Sequence, residues 1–374
     1  MNPKELFYFA AQCLALDEHP GFRETIISRF SSGEVALDDF IFLCSNELVL
    51  PAIYLNFKKY DLLDLFPDDY RNQIREIYER NKKRNFEILQ QADEINLVLA
   101  QENINPVYLK GTANLMDNVY SDAGERMIGD IDLLVQENDY LKTADLIKQL
   151  GYRTDEKVFG DVKTAKHYPR LFRAGGPADI EIHRVPVNIE YSKQFSSALL
   201  FQYNKPVPGM INCFVPSDIH KAVHNFIHAQ LSNLGHSFVQ SGLRDLYDMY
   251  LLSKRTETIS IISAAEEKRK LTTYIALTSH IFRSNNFQEI PDSKTSLRYI
   301  HLHDWFLDHY SWHRGYVITV KLVEVLFVRF LRGLGKIFSL KSWGNFFKYI
   351  TAADWYRWIG YRIRNFYGNY ISGN

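Results

Sequence analysis

An apolar run with two acidic residues at alternate positions, Asp130-Ile-Asp132-Leu-Leu-Val135, constrains the fold more than any other segment. Its apolar residues predict a β-strand, in which alternate side chains point to the same face. Asp130 and Asp132 then project two carboxylates from one face. Because unpaired carboxylates are costly to bury, the pair needs a cation or a firm set of donors. Two such oxygen ligands suit Mg²⁺, and the alternative is a turn cap at Asp130 with an ion pair at Asp132.

A second alternating segment, Asp179-Ile-Glu181-Ile-His183, lies further along the chain. As a strand it places Asp179, Glu181 and His183 on one face. Two-metal phosphoryl transfer needs a third carboxylate on a neighbouring strand, because two ions about 4 Å apart clamp the attacking and leaving oxygens. We therefore expect the acidic side chains of the two strands to converge.

A candidate phosphate-binding segment, Leu109-Lys110-Gly111-Thr112, ends a short β-like run and opens a stretch that is compatible with a helix. Gly111 allows a ligand to approach the backbone closely, and a helix N-terminus offers unpaired N–H groups to phosphate. Lys110 and Arg126 add positive charge, which suits a transferring phosphoryl group. The alternative is that both cations pair with Asp130 or Asp132.

The hydrophobic period divides the chain into segments of different character. Residues 1–100 have a helical period, strands then alternate with helices, and the helical period returns after Pro216. Residues 163–172 and 178–185 flank Ala174-Gly-Gly-Pro177 and predict a hairpin. This order predicts an α/β core between helical regions. The predicted domains are 1–100 (helical), 101–215 (core), 216–310 (helical) and 311–374 (basic, Trp-rich, amphipathic).

The C-terminal tail, residues 311–374, carries a net charge of +8, although the whole chain has 44 basic and 44 acidic residues. That overall balance excludes a generally basic nucleic-acid coat protein. All five tryptophans lie in or beside the tail, and residues 316–337 predict an amphipathic helix. A basic face with flanking aromatic residues suits peripheral contact with an anionic membrane. Packing on the protein's own core and, less favoured, nucleic-acid binding are the alternatives.

Two further groups of polar residues fall in the predicted helices after the core. His220, His224 and His228 recur every four residues on one helical face, and we interpret them as core or surface histidines, with contact to substrate as the alternative. Asp248, in Arg244-Asp245-Leu-Tyr-Asp248, is interpreted as half of a charge pair on the helix surface.

The N-terminal sequence lacks the basic, apolar and small-residue regions of a signal peptide. The three cysteines are far apart and form no CxxC pair, which is typical of a reduced compartment. We therefore expect a cytoplasmic protein, with the tail as a means of peripheral attachment to the inner membrane face.

Four segments in order resemble the motifs of the DNA-polymerase-β-type nucleotidyltransferase superfamily: Leu109-Lys-Gly-Thr112, Arg126 with Gly129-Asp-Ile-Asp-Leu-Leu-Val135, Gly151-Tyr152 and Glu181-Ile-His183. Over roughly residues 75–250 the chain is similar in particular to the bacterial group called nucleotidyltransferase family 5. The resemblance implies a small mixed-sheet nucleotidyltransferase core, of α+β or α/β class, flanked by N-terminal and C-terminal helical regions.

The resemblance also implies a role for each matching residue. Asp130, Asp132 and Glu181 would be the catalytic, metal-binding acids, and His183 would face the substrate. Asp179 competes with Glu181 for the third position, but its spacing to His183 fits less well. Gly111 and Thr112 would be the element that holds the nucleotide phosphates, with Thr112 in place of the more usual serine, and Lys110 and Arg126 complete the predicted nucleotide-binding residues through their charge.

These roles predict a Mg²⁺-dependent enzyme, with Mn²⁺ as an alternative ion. It would transfer a nucleoside monophosphate from ATP or another NTP to an acceptor that the sequence does not identify, with release of pyrophosphate. Two other functions stay open. One is a glycosyltransferase whose Asp130-Ile-Asp132 binds a metal and a nucleotide sugar. The other is a non-catalytic, nucleotide-binding adaptor associated with a membrane.

Overall fold

The computed structural model describes residues 1–154, 162–284 and 293–337, with side chains as far as Glu324. Met1–Asp304 form one compact unit, and residues from Trp305 onward belong to a second. The first unit is a mixed α+β structure, in which helices flank a five-stranded mixed sheet. The predicted fold class is therefore confirmed, whereas the domain boundaries near 100, 216 and 310 stay predictions.

Five helices precede the sheet, as the helical period of residues 1–100 predicts. A capping box opens the first of them, where the Asn2 side chain accepts from the Glu5 N–H at 2.8 Å and the Glu5 carboxylate accepts from the Asn2 N–H at 3.0 Å. The last contains neither glycine nor proline and runs for 34 residues. The helices are α1 (Pro3–Leu14), α2 (Phe22–Ser31), α3 (Leu37–Asn46), α4 (Leu50–Lys59) and α5 (Asp68–Gln101).

The sheet is built from short strands, two of which carry the acidic segments. Its order is β3-β2-β1-β5-β4, with β2 parallel to β3, β1 parallel to β5, and antiparallel pairs at β1–β2 and β4–β5. Helices α6 and α7 follow β1 and β2. The elements are β1 (Val107–Tyr108), α6 (Lys110–Met116), β2 (Asp130–Leu134), α7 (Tyr140–Gln149), β3 (Asp179–His183), α8 (Ser197–Gln202), β4 (Asn204–Pro206) and β5 (Phe214–Pro216).

The predicted hairpin forms in part. Residues 165–172, called the arm below, run antiparallel to β3, with isolated bridges between Leu171 and Ile180 and between His167 and His183. The Leu171 N–H donates to the Ile180 carbonyl at 3.0 Å, and the Ile180 N–H donates back at 2.7 Å. In the described part of the chain the arm is not a continuous strand.

Helices return after β5, as the sequence predicts. Ser217 is the residue before the first of them, but its hydroxyl contacts His220 Nδ1 at 2.7 Å and caps no backbone N–H. Helix α9 packs against α11, and α11 against α13. The helices are α9 (Asp218–Phe226), continued by a π-helical segment (Ile227–Ser232), then α10 (Gly235–Phe238), α11 (Leu243–Ser253), α12 (Thr258–Ser263), α13 (Lys268–Phe282) and α14 (Lys294–Asp308).

Buried amide side chains of α5 hold the loop that leads into β2. Asn85 Nδ2 donates to the carbonyls of Ala123 at 2.6 Å and Arg126 at 2.7 Å, and Asn81 Nδ2 donates to Gly124 O at 2.8 Å. A Cβ at Gly124 would lie 2.6 Å from the Tyr78 ring, so only glycine allows this close approach. The long N-terminal helix thereby fixes the backbone at Arg126.

The second unit contains helix α15 (Tyr310–Ile337), which covers the amphipathic segment that the sequence predicts. Within the described ranges, no helix combines the length and the apolar character needed to cross a bilayer. The remainder of the tail, residues 338–374, lies outside the described residues. Contact of the tail with an anionic membrane or with nucleic acid stays a prediction.

Candidate active site

Parallel pairing of β2 with β3 brings the acidic residues together. Asp130 lies opposite Asp179, and Asp132 lies opposite Glu181. Because side chains alternate between the two faces of a strand, these four carboxylates and His183 share one face of the sheet. Asp132, Glu181 and His183 are buried there.

Asp132 lies at the centre of the cluster. The Lys110 ammonium is 2.5 Å from its Oδ1, and His183 Nε2 is 2.8 Å from the same oxygen. Although burial raises the pKa of Asp132, Lys110 and His183 outweigh it and hold that pKa well below its usual range. Asp132 is therefore ionised at neutral pH, as a metal ligand must be.

Lys110 is the first residue of α6 and follows β1 after one intervening residue, Leu109. Its backbone is left-handed, with φ of 51°, which is uncommon for a residue with a side chain. Burial lowers the pKa of Lys110, but Asp132 and Glu181 raise it by more, so the ammonium stays protonated. The ion pair that the sequence left as an alternative for Lys110 is thus present in the structure.

Glu181 and Asp130 differ in charge environment although they share one face. Burial raises the pKa of Glu181, but His183, Lys110 and Arg170 together lower it to about 2. For Asp130, burial and the neighbouring Asp132 raise the pKa above its usual value, against the opposing effect of Lys110. Nearby cations and His183 thus favour the ionised form of Glu181, whereas burial and Asp132 oppose ionisation of Asp130.

The two residues after Lys110 differ in their surroundings. Gly111 lines a cavity beside the acids, and a Cβ there would meet Ile128 at 3.5 Å, an ordinary contact. Thr112 is fully buried, and its hydroxyl donates to the Asp130 carbonyl at 3.1 Å. The Thr112 hydroxyl thus ties α6 to β2 in this conformation.

The cavity has a volume of about 260 Å³ and lies between the acidic strand and the helices after the core. Carboxylates of β2 line it on the side of the sheet, and most of its other polar side chains are cationic or imidazole groups. Glu181 and Thr112 are not among its lining residues in the described structure. Its charged and imidazole lining consists of Lys110, Arg126, Asp130, Asp132, Lys221, His224, His228, Arg244, Asp245 and Asp248.

Arg126 lines the cavity but pairs with neither aspartate of β2. Its guanidinium contacts both carboxylate oxygens of Asp248 on α11, at 2.9–3.1 Å, and Tyr120 donates to the same carboxylate at 3.0 Å. Asp248 is only 3% exposed. The interpretation of Asp248 as a surface charge pair is therefore wrong, because its partner comes from the loop before β2 and not from its own helix.

The histidines of the helix after β5 are interior residues. His220 and His224 are buried, and His224 and His228 line the cavity. Burial, with a further contribution from Lys110, lowers the pKa of His228 to about 4 and that of His224 well below its usual value. Both imidazoles are therefore neutral at neutral pH and offer hydrogen bonds without charge.

Sequence reasoning missed Arg170 and Lys221. Arg170 Nη2 lies 2.8 Å from Glu181 Oε1, and the predicted hairpin could have shown this, since Leu171 opposes Ile180. Lys221 lines the cavity from α9, and burial lowers its pKa to about 8 even though its ammonium contacts Asp117. Nothing in the local sequence pattern indicated that position.

Three of the clustered side chains can hold a metal ion. Ligand atoms of Asp132, Glu181 and His183 all lie within 4.8 Å of one another. Two carboxylate oxygens and one imidazole nitrogen are a donor set that Mn²⁺ and related divalent ions accept, and Mg²⁺ takes the carboxylates. Asp130 lies two residues before Asp132 on the same face and offers a further oxygen.

Comparison with protein families finds a match for this chain. A family model described as an uncharacterised nucleotidyltransferase matches residues 33–280. The matched range contains the acidic strands β2 and β3 and the cavity-lining helices α9 and α11. No curated protein matches the chain.

The buried pair of Arg126 and Asp248 yields a stability prediction. Their side chains are 11% and 5% exposed, so Asp248→Leu leaves a buried, uncompensated guanidinium and should lower the free energy of unfolding by about 3 kcal/mol. The double variant Arg126→Met/Asp248→Leu should recover most of that loss. Chemical denaturation measures both.

Glu76→Leu is the matched control, because Glu76 pairs with Arg80 on the exposed surface of α5. Their side chains are 61% and 78% exposed, so the change should stay below about 1 kcal/mol. The described pairing would be contradicted if Asp248→Leu lowered the free energy of unfolding no more than Glu76→Leu does. A double variant less stable than Asp248→Leu alone would contradict it too.

Proposed function

The chain belongs to the family of uncharacterised nucleotidyltransferases, and we propose that it transfers a nucleoside monophosphate from an NTP to an acceptor nucleophile. In this reaction the acceptor forms a bond to the α-phosphorus, the bond from that phosphorus to the bridging oxygen breaks, and pyrophosphate leaves. The observation that carries the proposal is the opposition of Asp132 and Glu181 on β2 and β3, beside the helix start at Lys110.

The acidic residues would hold the divalent ion that such transfer uses. Asp132 and Glu181 supply ionised oxygens, and Asp130 lies beside them on the same face. When bound there, Mg²⁺ or Mn²⁺ would neutralise phosphate charge and lower the pKa of the acceptor group. His183 either orients the Asp132 carboxylate through its 2.8 Å contact or supplies a third ligand atom, because one nitrogen cannot donate to Asp132 and bind the ion at once.

The cavity suits a polyphosphate because of its cationic and imidazole lining. Lys110 stays protonated, Arg126 is fixed by Asp248, and Arg244 comes from α11. Gly111, at the second residue of α6, lets phosphate oxygens approach the first N–H groups of that helix. These groups bind the triphosphate and orient its α-phosphorus toward the acids.

Glycosyl transfer from a nucleotide sugar is the alternative enzyme function. A nucleotide-binding fold would then be expected at the N-terminus, where the structure has helices α1–α5. The family match and this N-terminal helical region favour nucleotidyl transfer. The acceptor could be a sugar, a peptide, a protein side chain or RNA.

The position of the transferred label tests the function. The protein is incubated with cell extract, Mg²⁺ and one NTP at a time, labelled either at the α-phosphorus or at the γ-phosphorus. We expect the α label, and not the γ label, to appear on a macromolecule or small acceptor. Asp132→Asn should reduce that labelling about 100-fold or more, because it removes a charge beside the reacting phosphate.

Asp179→Asn is the matched control, because Asp179 shares the acidic face but its side chain is 44% exposed. It should keep activity within a few-fold of the wild type. Transfer of γ label, or label only from a radioactive nucleotide sugar, would contradict nucleotidyl transfer.

A second prediction concerns nucleotide binding at the start of α6. The nearest atom to a Cβ at Gly111 belongs to Ile128 at 3.5 Å, so Gly111→Ala should fold and, inside a helix, be at least as stable as the wild type. Its methyl group should nevertheless obstruct the phosphates and raise the Kd of a fluorescent NTP analogue roughly tenfold. Gly21→Ala, with open space around its Cβ, is the control and should bind normally. Unchanged affinity in Gly111→Ala would remove this helix start from the site.

A further inference from the structure

Arg170 bridges three carboxylates of the acidic face, two of which, Glu181 and Asp130, would bind the metal. Its guanidinium lies 2.8 Å from Glu181 Oε1, 3.6 Å from Asp130 Oδ2 and 3.8 Å from Asp179 Oδ2. The arm that carries Arg170 runs beside β3, so the side chain crosses the acidic face at the edge of the sheet. One side chain therefore compensates three carboxylates.

Two cations contact the acids that would bind the ion. Lys110 contacts Asp132 at 2.5 Å, and Arg170 contacts Glu181 at 2.8 Å. A divalent ion that binds Asp132 and Glu181 would lie beside the carboxylates that these two cations now contact. Like charges a few ångströms apart repel, so ion binding and both contacts cannot persist unchanged.

Of the two cations, Arg170 is the one more open to solvent. Its side chain is 44% exposed, whereas that of Lys110 is 21% exposed and begins at a fixed helix start. Water can solvate the Arg170 guanidinium once it leaves, whereas Glu181, whose side chain is only 10% exposed, then needs the incoming divalent ion to compensate its charge. Departure of Lys110, in contrast, would break a contact with Asp132, whose side chain is buried.

We propose that Arg170 competes with the divalent ion for Glu181 and Asp130. When no ion is bound, its guanidinium contacts these two carboxylates, and it must move away for the ion to bind. The inference rests on the proposed metal-dependent function and adds its regulation: Arg170 sets the ion concentration at which the site becomes loaded. Loading the site thus exchanges one cation for another and leaves the acidic face compensated in both states.

Arg173, the residue directly after the arm, supplies a matched control. It forms a two-point ion pair with Glu94, at 2.8 and 2.9 Å, and its side chain is 31% exposed. Glu94 belongs to α5 and not to the acidic cluster. Arg173→Gln therefore removes the same charge and a comparable ion pair without touching the metal ligands.

Mn²⁺ binding, measured by electron paramagnetic resonance on the full chain, tests the proposal. We expect Arg170→Gln to lower the Kd for Mn²⁺ about tenfold, the size of effect that removal of one cation near a divalent ion gives in partly exposed surroundings. Arg173→Gln should leave that Kd within twofold of the wild type. Unchanged or weaker Mn²⁺ binding in Arg170→Gln would overturn the proposal, because Arg170 would then organise the ligands and not compete with the ion.

Thermal unfolding gives a second, independent reading and shows whether each variant folds. With a chelator present, Arg170→Gln should melt several degrees below the wild type, and saturating Mn²⁺ should restore it. Arg173→Gln should melt at a lower temperature in both conditions alike. If saturating Mn²⁺ does not restore the melting temperature of Arg170→Gln, the proposed exchange of Arg170 for the ion is overturned.

Mn²⁺ binding distinguishes failure of the metal-dependent function from failure of the role proposed for Arg170. Absence of Mn²⁺ binding in the wild type and in Arg170→Gln alike would reject the metal-dependent function, and this inference with it. Mn²⁺ binding that is normal in the wild type and unimproved in Arg170→Gln would reject the inference alone.

Discussion

The register between β2 and β3 is the constraint on which the site depends. It places Asp132 opposite Glu181 and Asp130 opposite Asp179, so that four carboxylates share adjacent positions on one face. A slip of one residue would send the side chains of one strand to the other face and separate the pairs. Because this register crowds the carboxylates, their mutual repulsion has to be offset. Two cations from other segments, Lys110 and Arg170, provide the opposite charge.

The helical regions also fix the walls of the site. Amides on α5 bind the backbone of the loop before β2, and Asp248 on α11 binds the guanidinium of Arg126 from the same loop. The loop is therefore held at its backbone from one side and at a side chain from the other. The cavity lies where the sheet, this loop and helices α9 and α11 meet, so none of these elements forms it alone.

The local parts of this arrangement could be predicted from the sequence, because strand alternation and helix starts are short-range patterns. Alternating acids at Asp130 and Asp132 predicted β2, and the glycine-centred hairpin brought the arm next to β3. The contact of Arg170 with Glu181 follows from that hairpin register and was available to sequence reasoning. The neutral state of the cavity histidines was not, because their pKa values depend on burial by distant segments.

Asp248 is the clearest case of a residue whose partner cannot be predicted from the local sequence. On its own helix it has charged neighbours, which favoured a surface pair, but its actual partner Arg126 is 122 residues earlier in the chain. No local period carries that information, since it depends on how α11 packs against α9 and meets the loop before β2. In the same way, the sequence left Lys110 open between a phosphate ligand and an ion pair with Asp132, and only the fold supplied the 2.5 Å contact.

The most direct test of the account is to locate the ion. Crystals grown with Mn²⁺ and a non-hydrolysable NTP analogue can be measured at a wavelength where manganese scatters anomalously. The account predicts an anomalous peak in direct contact with the carboxylates of Asp132 and Glu181, with the triphosphate beside Gly111 and Arg170 turned away from Glu181. A peak elsewhere, or nucleotide bound with both acids still paired to Lys110 and Arg170, would contradict it.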